Sequence, residues 1–435
     1  MSFGNTPLGL KFISTLPWRV TRFIKEEVMR EQEVWVVSAV RTPFGKFGGV
    51  LKDIPSIELG AMVIREVLQR VDVRGDEVEE TYYGTAVIGE AALETDVPAR
   101  QATLKAGMPG ESISITLDRA CCSSLAALRF GYRAIRSGEI DVALAVGSDN
   151  MSRTPYVIPP DVRWGKRLGN IQIWDGLYEL GYKGFNPVSV DAGEVALEYG
   201  VTREDQDRWA YESQMKYAKA WQEGKFKIGE ELMRVEIPQK KGPPIILEKD
   251  EFPKPDTTLE KLARLPTVYG SPTVTAGNAP GLDTGAAAIL IMSRRKAEEK
   301  GLKPLAKIVS MIPTATDPRL IAAIPGFTIQ KVLKKVNLSL DQIDLIEINE
   351  AFAAMPLVSA KILSDGDPER MKRILEKTNV NGGAIAIGHP VGASGGRILM
   401  TMIYELRRRG GGMGVASICG GLAQGEGAVV QVDRG

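Results

Sequence analysis

The sequence predicts an α/β fold, on three observations. β-Type runs alternate with helical patterns along most of the chain, the chain is long enough to bury a large core, and the alternation breaks once, in the middle. With 435 residues, 44% hydrophobic and 25% charged, two or three domain-sized units are expected.

Residues 1–30 stand apart. Lys11, Arg19, Arg22 and Lys25 precede the first acidic residue, Glu26, and apolar residues are scattered over 8–24. The segment reads either as a basic amphipathic targeting sequence or as an upstream extension ending near Met29. The second reading is preferred, because no Ser-rich bias and no small-residue cleavage site accompany the charges. Candidate strands follow at 34–38, 80–87, 112–117, 142–147, 286–292, 345–348 and 414–418. Helical patterns between them include 57–71, 123–137 and 202–222. Over 112–117, Ile113, Ile115 and Leu117 alternate at period two. Over 123–137, Leu125, Leu128, Tyr132 and Ile135 share one helical face, and Gly138 stops the helix. Pro-rich and charged stretches at 237–244 and 248–255 surround helix 202–222, so 151–269 reads as an insertion between two α/β halves. The halves are 31–150, completed by 270–295, and 296–435. No short solenoid repeat is visible.

Bulk properties exclude several function classes. The net charge is +1, from 55 basic and 54 acidic residues, so no global field favours nucleic acid or an anionic membrane. No apolar run approaches the roughly 18 residues of a membrane span. Of three cysteines, Cys121 and Cys122 are adjacent, which suits neither a disulfide framework nor a metal chelate. No metal and a reducing, cytoplasmic compartment are therefore expected. A single histidine, His389, rules out chemistry that needs two imidazoles.

Cys121 falls at a strand-to-helix turn. Unpaired backbone N–H groups and the helix dipole there are expected to lower a thiol pKa from about 8.5 toward the working pH. On spacing alone a buried structural cysteine is the better reading. His389 lies in the Gly-rich stretch 381–390, followed by Gly392 and Gly395-Gly396, where backbone can approach a ligand closely. Cys419 follows strand 414–418 and precedes Gly420-Gly421. Reactive residues at three such turns converge on one site.

Four loops, Cys121-Cys122-Ser123, Asn349-Glu350-Ala351-Phe352, Gly388-His389-Pro390 and Cys419-Gly420-Gly421, resemble the catalytic loops of thiolases, in the family's order. Residues 37–45 (VSAVRTPFG) and 273–279 (TVTAGNA) are also similar to family signatures, and the likeness runs from about residue 34 to 432. The resemblance implies two similar mixed-sheet halves packed as five αβαβα layers, with a loop domain that holds coenzyme A. It implies reversible Claisen condensation and thiolysis of 3-ketoacyl-CoA through an acyl-cysteine, with acetyl-CoA and acetoacetyl-CoA as the expected substrates. Coenzyme A enters as substrate, and no permanent cofactor is expected. Cys121 would be the nucleophile, His389 its base and Cys419 the second acid-base group. Asn349 would orient a water at the enolate oxygen. The N–H groups of Cys121 and Gly421 would form an oxyanion hole, each donor contributing about 3 kcal/mol. Glu350 is read more plainly, as satisfying loop or helix N-terminal N–H groups. Implied ligand contacts are Leu177, Lys254, Ala276, Gly277 and Phe352, with Lys166 and Arg167 as further phosphate candidates. The resemblance also implies a homodimer or homotetramer, in fatty-acid metabolism.

Departures from the family pattern border the expected pocket. Pro187-Val188-Ser189 stands where many short-chain thiolases have His-Met-Gly, Pro280 where they have Ser, and Asp118 and Ser124 where Asn and Gly are usual. Four alternatives bear on function. A Cys-His-His ketoacyl synthase is excluded by the single histidine. A lipid-carrier thiolase-like protein is disfavoured by the Asn-Glu-Ala-Phe loop. A thiolase of longer-chain β-oxidation, or an inactive scaffold of the same fold, differs from the main reading only in substrate or in activity.

Overall fold

The computed structural model describes residues 31–87, 90, 96–178 and 182–434. The 1–30 extension lies outside the described residues. The first half runs β1 (Val34–Arg41), α1 (Ser56–Gln69), β2 (Glu80–Gly84), α2 (Pro98–Lys105), β3 (Ile113–Leu117), α3 (Ser123–Arg136) and β4 (Val142–Asn150). Between β4 and the strand that closes this half lie β5 (Tyr156–Val157), β6 (Trp174–Asp175), α4 (Val188–Glu198), α5 (Arg203–Gln222), β7 (Val235–Ile237), β8 (Ile245–Leu247) and α6 (Leu259–Ala263). The closing strand is β9 (Thr284–Ser293), followed by α7 (Arg294–Glu299). The second half comprises β10 (Ala306–Ala315), α8 (Ile324–Lys335), β11 (Leu345–Ile348), α9 (Ala354–Leu363), α10 (Pro368–Glu376), α11 (Ala384–Ile387), α12 (Ser394–Arg408), β12 (Gly412–Gly420) and β13 (Gln424–Val432).

Pairing exposes an internal repeat. The first half has strand order β3-β2-β4-β9-β1 and the second β11-β12-β13-β10. In each, a parallel pair (β2 with β4, β11 with β12) is followed by two antiparallel ones. Each first strand bulges at its third to fifth residue, Val36/Ser38 in β1 and Ile308/Ser310 in β10. A parallel bridge from Ile346 to Thr378 occupies the place that β3 takes beside β2. β1 and β10 pair antiparallel, Val34 with Ile308 and Val36 with Ala306, which joins both halves into one nine-stranded mixed sheet.

Period-two alternation sends each strand's side chains into different cores. On β9, Ala287, Ile289 and Ile291 face a central core, with α3 and α12 between the two half-sheets and Ala416, Ile418 and Val430 opposite. Ala288, Leu290 and Met292 face α1 in an outer core. Ile346, Val415 and Val429 face α8 and α9 in the other. The result is five layers, αβαβα, and strands covered on both faces need apolar runs of this kind.

Two strands of the nine-stranded sheet, β10 and β13, were not among those expected, nor were the short pairs β5–β6 and β7–β8 of the inserted segment. β13 opens Gln424-Gly425-Glu426-Gly427 and β10 carries Lys307, Ser310 and Pro313, so both look like loop in sequence. The buried Glu426 is satisfied by charge, accepting from Arg129 Nε at 3.1 Å and from Arg119. β2 stops at Gly84 instead of residue 87, because Thr85 Oγ1 (2.7 Å) and the N–H groups of Ala86 and Val87 (both 3.1 Å) turn to Asp149. Thr202 caps α5, accepting from Asp205 N at 3.1 Å while Asp205 accepts from Thr202 N at 2.9 Å.

Fully buried Arg41 anchors the inserted segment. It bonds Glu231 and Asp250, each at 2.6 Å, and Tyr217 and Thr401 complete the cluster from α5 and α12. Removing one partner from such a cluster costs about 3–5 kcal/mol.

Asp283 meets β9 at its start. Its Oδ2 accepts from His389 N at 2.7 Å, and Oδ1 has no partner among the described residues. Burial pushes its carboxyl from 3.8 up to about 7; Asp250 and Glu251 add to this, and the His389 amide and Lys254 oppose it. A raised carboxyl pKa means the folded state holds the proton longer than the unfolded chain. Its stabilisation is full below about pH 4 and is lost as the pH rises through about 7. Asp283→Asn removes this titration and keeps an acceptor for His389. Its thermal midpoint, relative to wild type, should therefore be distinctly higher at pH 8 than at pH 5. A difference that does not change with pH would refute the account.

Candidate active site

The strand-to-helix turn after β3 is built by its own polar groups. Asp118 Oδ1 accepts from Ala120 N at 2.8 Å, and Ala120 is held in the left-handed region at φ +48°. Cys122 N and Ser123 N return to Arg119 O and Ala120 O at 3.1 and 3.0 Å, and α3 begins. Cys121 is left at the tip, half-buried. Cys122 points inward and is fully buried, its Sγ 3.4 Å from Ile418 O. The Arg119 guanidinium crosses to the second half, reaching Gln424 Oε1 at 2.9 Å, Thr314 O at 3.0 Å and Glu426. Cys121 is thereby fixed relative to strands of the opposite half.

His389 comes from that half. Gly388, at φ +114°, turns the chain against Asp283, and only glycine adopts this conformation without strain. Ser394 Oγ lies 2.5 Å from His389 Nδ1 and 2.9 Å from Pro390 O. A carbonyl only accepts, so the single Ser394 proton goes to Pro390 and Nδ1 must carry the imidazole proton. Nε2 then presents a lone pair to Cys121 Sγ, 3.2 Å away. Ser394 is the first residue of α12, so nucleophile and base stand at the N-terminal ends of corresponding helices in the two repeats.

The expected lowering of the thiol pKa is not what the structure gives. Burial and neighbouring Cys419 push Cys121 well up, and burial, helped by Arg397, pushes His389 down to about 3. Desolvation outweighs the helix end because α3 starts two residues later and both groups lie under the loops of the other half. The resting pair is a neutral thiol beside a neutral imidazole.

Cys419 is the next-to-last residue of β12, buried, its thiol pushed up to about 12 by burial. Its loop abuts the nucleophile turn. A Cβ on Gly420 would fall 2.8 Å from Arg119 O and 2.9 Å from Cys122 Sγ, so no side chain fits there. Asn349 Oδ1 accepts from buried Arg397 at 3.3 Å, and its Nδ2 has no partner among the described residues. Arg397 also faces Glu347 at 3.5 Å. Glu350 accepts four bonds, from Trp209 (3.0 Å), Ser213 (2.8 Å), Asn379 (2.9 Å) and Ile385 N (3.1 Å), so its role is to brace loops.

A cavity of about 630 Å³ collects Cys121, His389, Cys419 and Gly421 with Leu177 and Phe352. Val188 and Pro280, both at positions of departure, are also in its wall. Lys254, Ala276 and Gly277 do not line it. Lys254 is exposed, its Nζ 4.7 Å from the Phe252 ring centre. Ala276 is exposed, and Gly277 lies against Leu262 and Leu265. Lys166 and Arg167 are exposed and also stand outside the wall. The wall includes polar residues that sequence reasoning missed, Thr154, Tyr182 and Gln424; Tyr182 lies in an irregular stretch that gives no periodic signal.

Comparison with known proteins agrees with this geometry. A model of the thiolase N-terminal domain matches residues 34–295, and one of the thiolase C-terminal domain matches 302–432. An acetyl-CoA acetyltransferase of Syntrophomonas wolfei is 40% identical over 408 residues, covering 92% of this chain and 99% of its own. One from Pseudomonas aeruginosa is 42% identical, covering 91% and 98%. The crystal structure of human mitochondrial 3-ketoacyl-CoA thiolase superposes with a TM-score of 0.86 at 36% identity, covering 92% of this chain and 99% of that one. The two structural repeats are thus the two family domains, each supplying one member of the Cys121–His389 pair, and the chain belongs to the thiolase family of acyltransferases.

Proposed function

We propose that the chain condenses two acetyl-CoA molecules and, in reverse, cleaves acetoacetyl-CoA. The observation that carries the chemistry is the lone pair of His389 Nε2 held 3.2 Å from Cys121 Sγ with Cys419 in the same cavity. Acetyl-CoA is favoured because the curated relatives above bear the name acetyl-CoA acetyltransferase.

The proton inventory closes over two half-reactions. In the first, Cys121 passes its proton to His389, its sulfur bonds the thioester carbon, and the carbon–sulfur bond to coenzyme A breaks. The departing sulfur takes the proton of Cys419. The site then holds an acyl-cysteine, an imidazolium and a thiolate, and the two opposite charges offset each other's burial. In the second, the Cys419 thiolate takes a proton from the methyl of the next acetyl-CoA. A thiol pushed up to about 12 is a strong base once ionised. The enolate carbon bonds the acyl carbon, and Cys121 leaves and recovers its proton from His389. The free Nδ2 of Asn349 and the imidazolium would hold a water at the enolate oxygen. The N–H groups of Cys121 and Gly421 would receive the other oxyanion. Residues 151–269 are read as the segment that holds coenzyme A, with Leu177 and Phe352 at the pantetheine or acyl group. Lys254, Ala276 and Gly277 would contact parts of coenzyme A outside the cavity. Edge strand β3 exposes Ile113 and Ile115, with Phe130 exposed on α3, which supports a homodimer or homotetramer. The cytoplasm and fatty-acid metabolism are the setting this chemistry fits.

Three outcomes are expected. Among 3-ketoacyl-CoA esters of increasing length, acetoacetyl-CoA should be cleaved fastest, and cleavage of long chains alone would overturn the short-chain assignment. After incubation with acetyl-CoA and an acid quench, mass spectrometry should find acetyl on Cys121 only. Cys121→Ala should abolish that label, while Cys419→Ala should keep it and lose about a hundredfold to ten-thousandfold in condensation. Acetyl on Cys419 would reverse the roles. Ser394→Ala frees His389 to take the other tautomer and should slow acylation by about tenfold to hundredfold, whereas Ser394→Thr keeps the hydroxyl and most of the rate. An unimpaired alanine variant would disprove the tautomer assignment.

A further inference from the structure

Tyr182 enters the cavity from the inserted segment, between β6 and α4, and is not one of the groups assigned a role above. Its hydroxyl lies directly against the Cys419–Gly421 loop: a Cβ placed on Gly421 would fall 1.8 Å from Tyr182 Oη. Cys121, Asp118, Cys419 and Cys122 are all near enough for their charges to act on the phenol. With burial as the largest cause, they push it up to about 12. The phenol therefore keeps its proton throughout the working range and acts as a donor. Among the described residues Oη has no hydrogen-bond partner, and Tyr182 keeps 39% of its surface exposed in a cavity wall that is mostly apolar. A protonated donor with no protein partner, part-exposed in the cavity wall against the Cys419–Gly421 loop, is placed to meet an acceptor on a ligand that fills the cavity.

We propose that the Tyr182 hydroxyl hydrogen-bonds the carbonyl oxygen of the acyl group on Cys121, as a third donor beside the N–H groups of Cys121 and Gly421. This rests on the thiolase reading of the site. The acyl oxygen is the acceptor because Oη sits at Gly421, whose N–H is assigned to that same oxygen. The enolate oxygen is served from the other side, by His389 and Asn349. The contact also accounts for the missing side chain at Gly421, since any Cβ would displace the phenol.

The test uses the full-length protein in a Cys419→Ala background, where the acyl-enzyme accumulates. Acyl-enzyme formed from acetyl-CoA labelled with carbon-13 at the carbonyl is examined by infrared difference spectroscopy. Tyr182→Phe keeps the ring and removes only the hydroxyl. It should shift the labelled carbonyl band to higher frequency and slow acylation about tenfold, with the thermal midpoint unchanged. An unshifted band at unchanged acylation rate would overturn the proposal while leaving the thiolase reading intact. A slower rate with an unshifted band would also overturn it, by showing that the phenol acts elsewhere than on the acyl oxygen. Failure of the Tyr182-containing protein to form any acyl-enzyme would instead refute the underlying reading.

Discussion

Everything in the site depends on bringing the N-terminal ends of α3 and α12 into backbone contact at the centre of the molecule. Ser124 Oγ accepts from Gly396 N at 2.9 Å, and a Cβ on Gly395 would fall 2.8 Å from Leu125 N. Small residues are needed on both sides of this contact for steric reasons, before any chemistry is considered. The two ends meet because the two repeats join at β1 and β10 with α3 and α12 enclosed between them. Arg119 then fastens the nucleophile turn to β13, and Asp283 fastens the base loop to β9. Each reactive loop is therefore tied to a strand other than the one it follows, which is how a 3.2 Å contact is held between residues 268 apart in sequence.

The same enclosure sets the electrostatics. Water removed from around Cys121 and His389 can no longer stabilise a thiolate or an imidazolium, and the shift to neutrality overrides the favourable helix end. On the proposed reading, ionisation would be coupled to the substrate: Cys121 would become a thiolate as it attacks, the imidazolium would be balanced by the Cys419 thiolate, and the charges would disappear when the product forms. A site ionised at rest would hold a buried ion pair between turnovers and would keep a reactive thiolate available to oxidants.

How much of this was legible in sequence follows from which features are local. Cys121, His389 and Cys419 stood out because each is a reactive residue at a strand end or beside glycines, and such turns are written in neighbouring residues. Helix 202–222 was legible to within one residue because Thr202 and Asp205 cap it from within. β10 and β13 were not, since the group that makes β13 acceptable in a core is the Glu426 pairing with Arg119 and Arg129, about three hundred residues away. The two similar halves were legible only through the family resemblance, because they share strand order and bulge position, not residues. The direction of the thiol shift was misread because burial is a property of the assembled halves. Tyr182 gave no signal, as an aromatic residue in an irregular stretch carries no period to read.

The positions at which the chain departs from the family pattern divide by location. Asp118 keeps the structural task of its position, since a carboxylate oxygen accepts from Ala120 N as an amide oxygen would, and Ser124 turns its added hydroxyl to the contact between the halves. Neither alters the reacting atoms. Val188 and Pro280, by contrast, line the cavity, and each replaces a residue that is usually larger or carries a hydroxyl. Pro280 removes one hydroxyl from that wall and Val188 removes bulk, so both substitutions change the shape of a mostly apolar surface. On the proposed reading, discrimination among acyl chains would rest on that shape, where one methylene is worth about 1–3 kcal/mol.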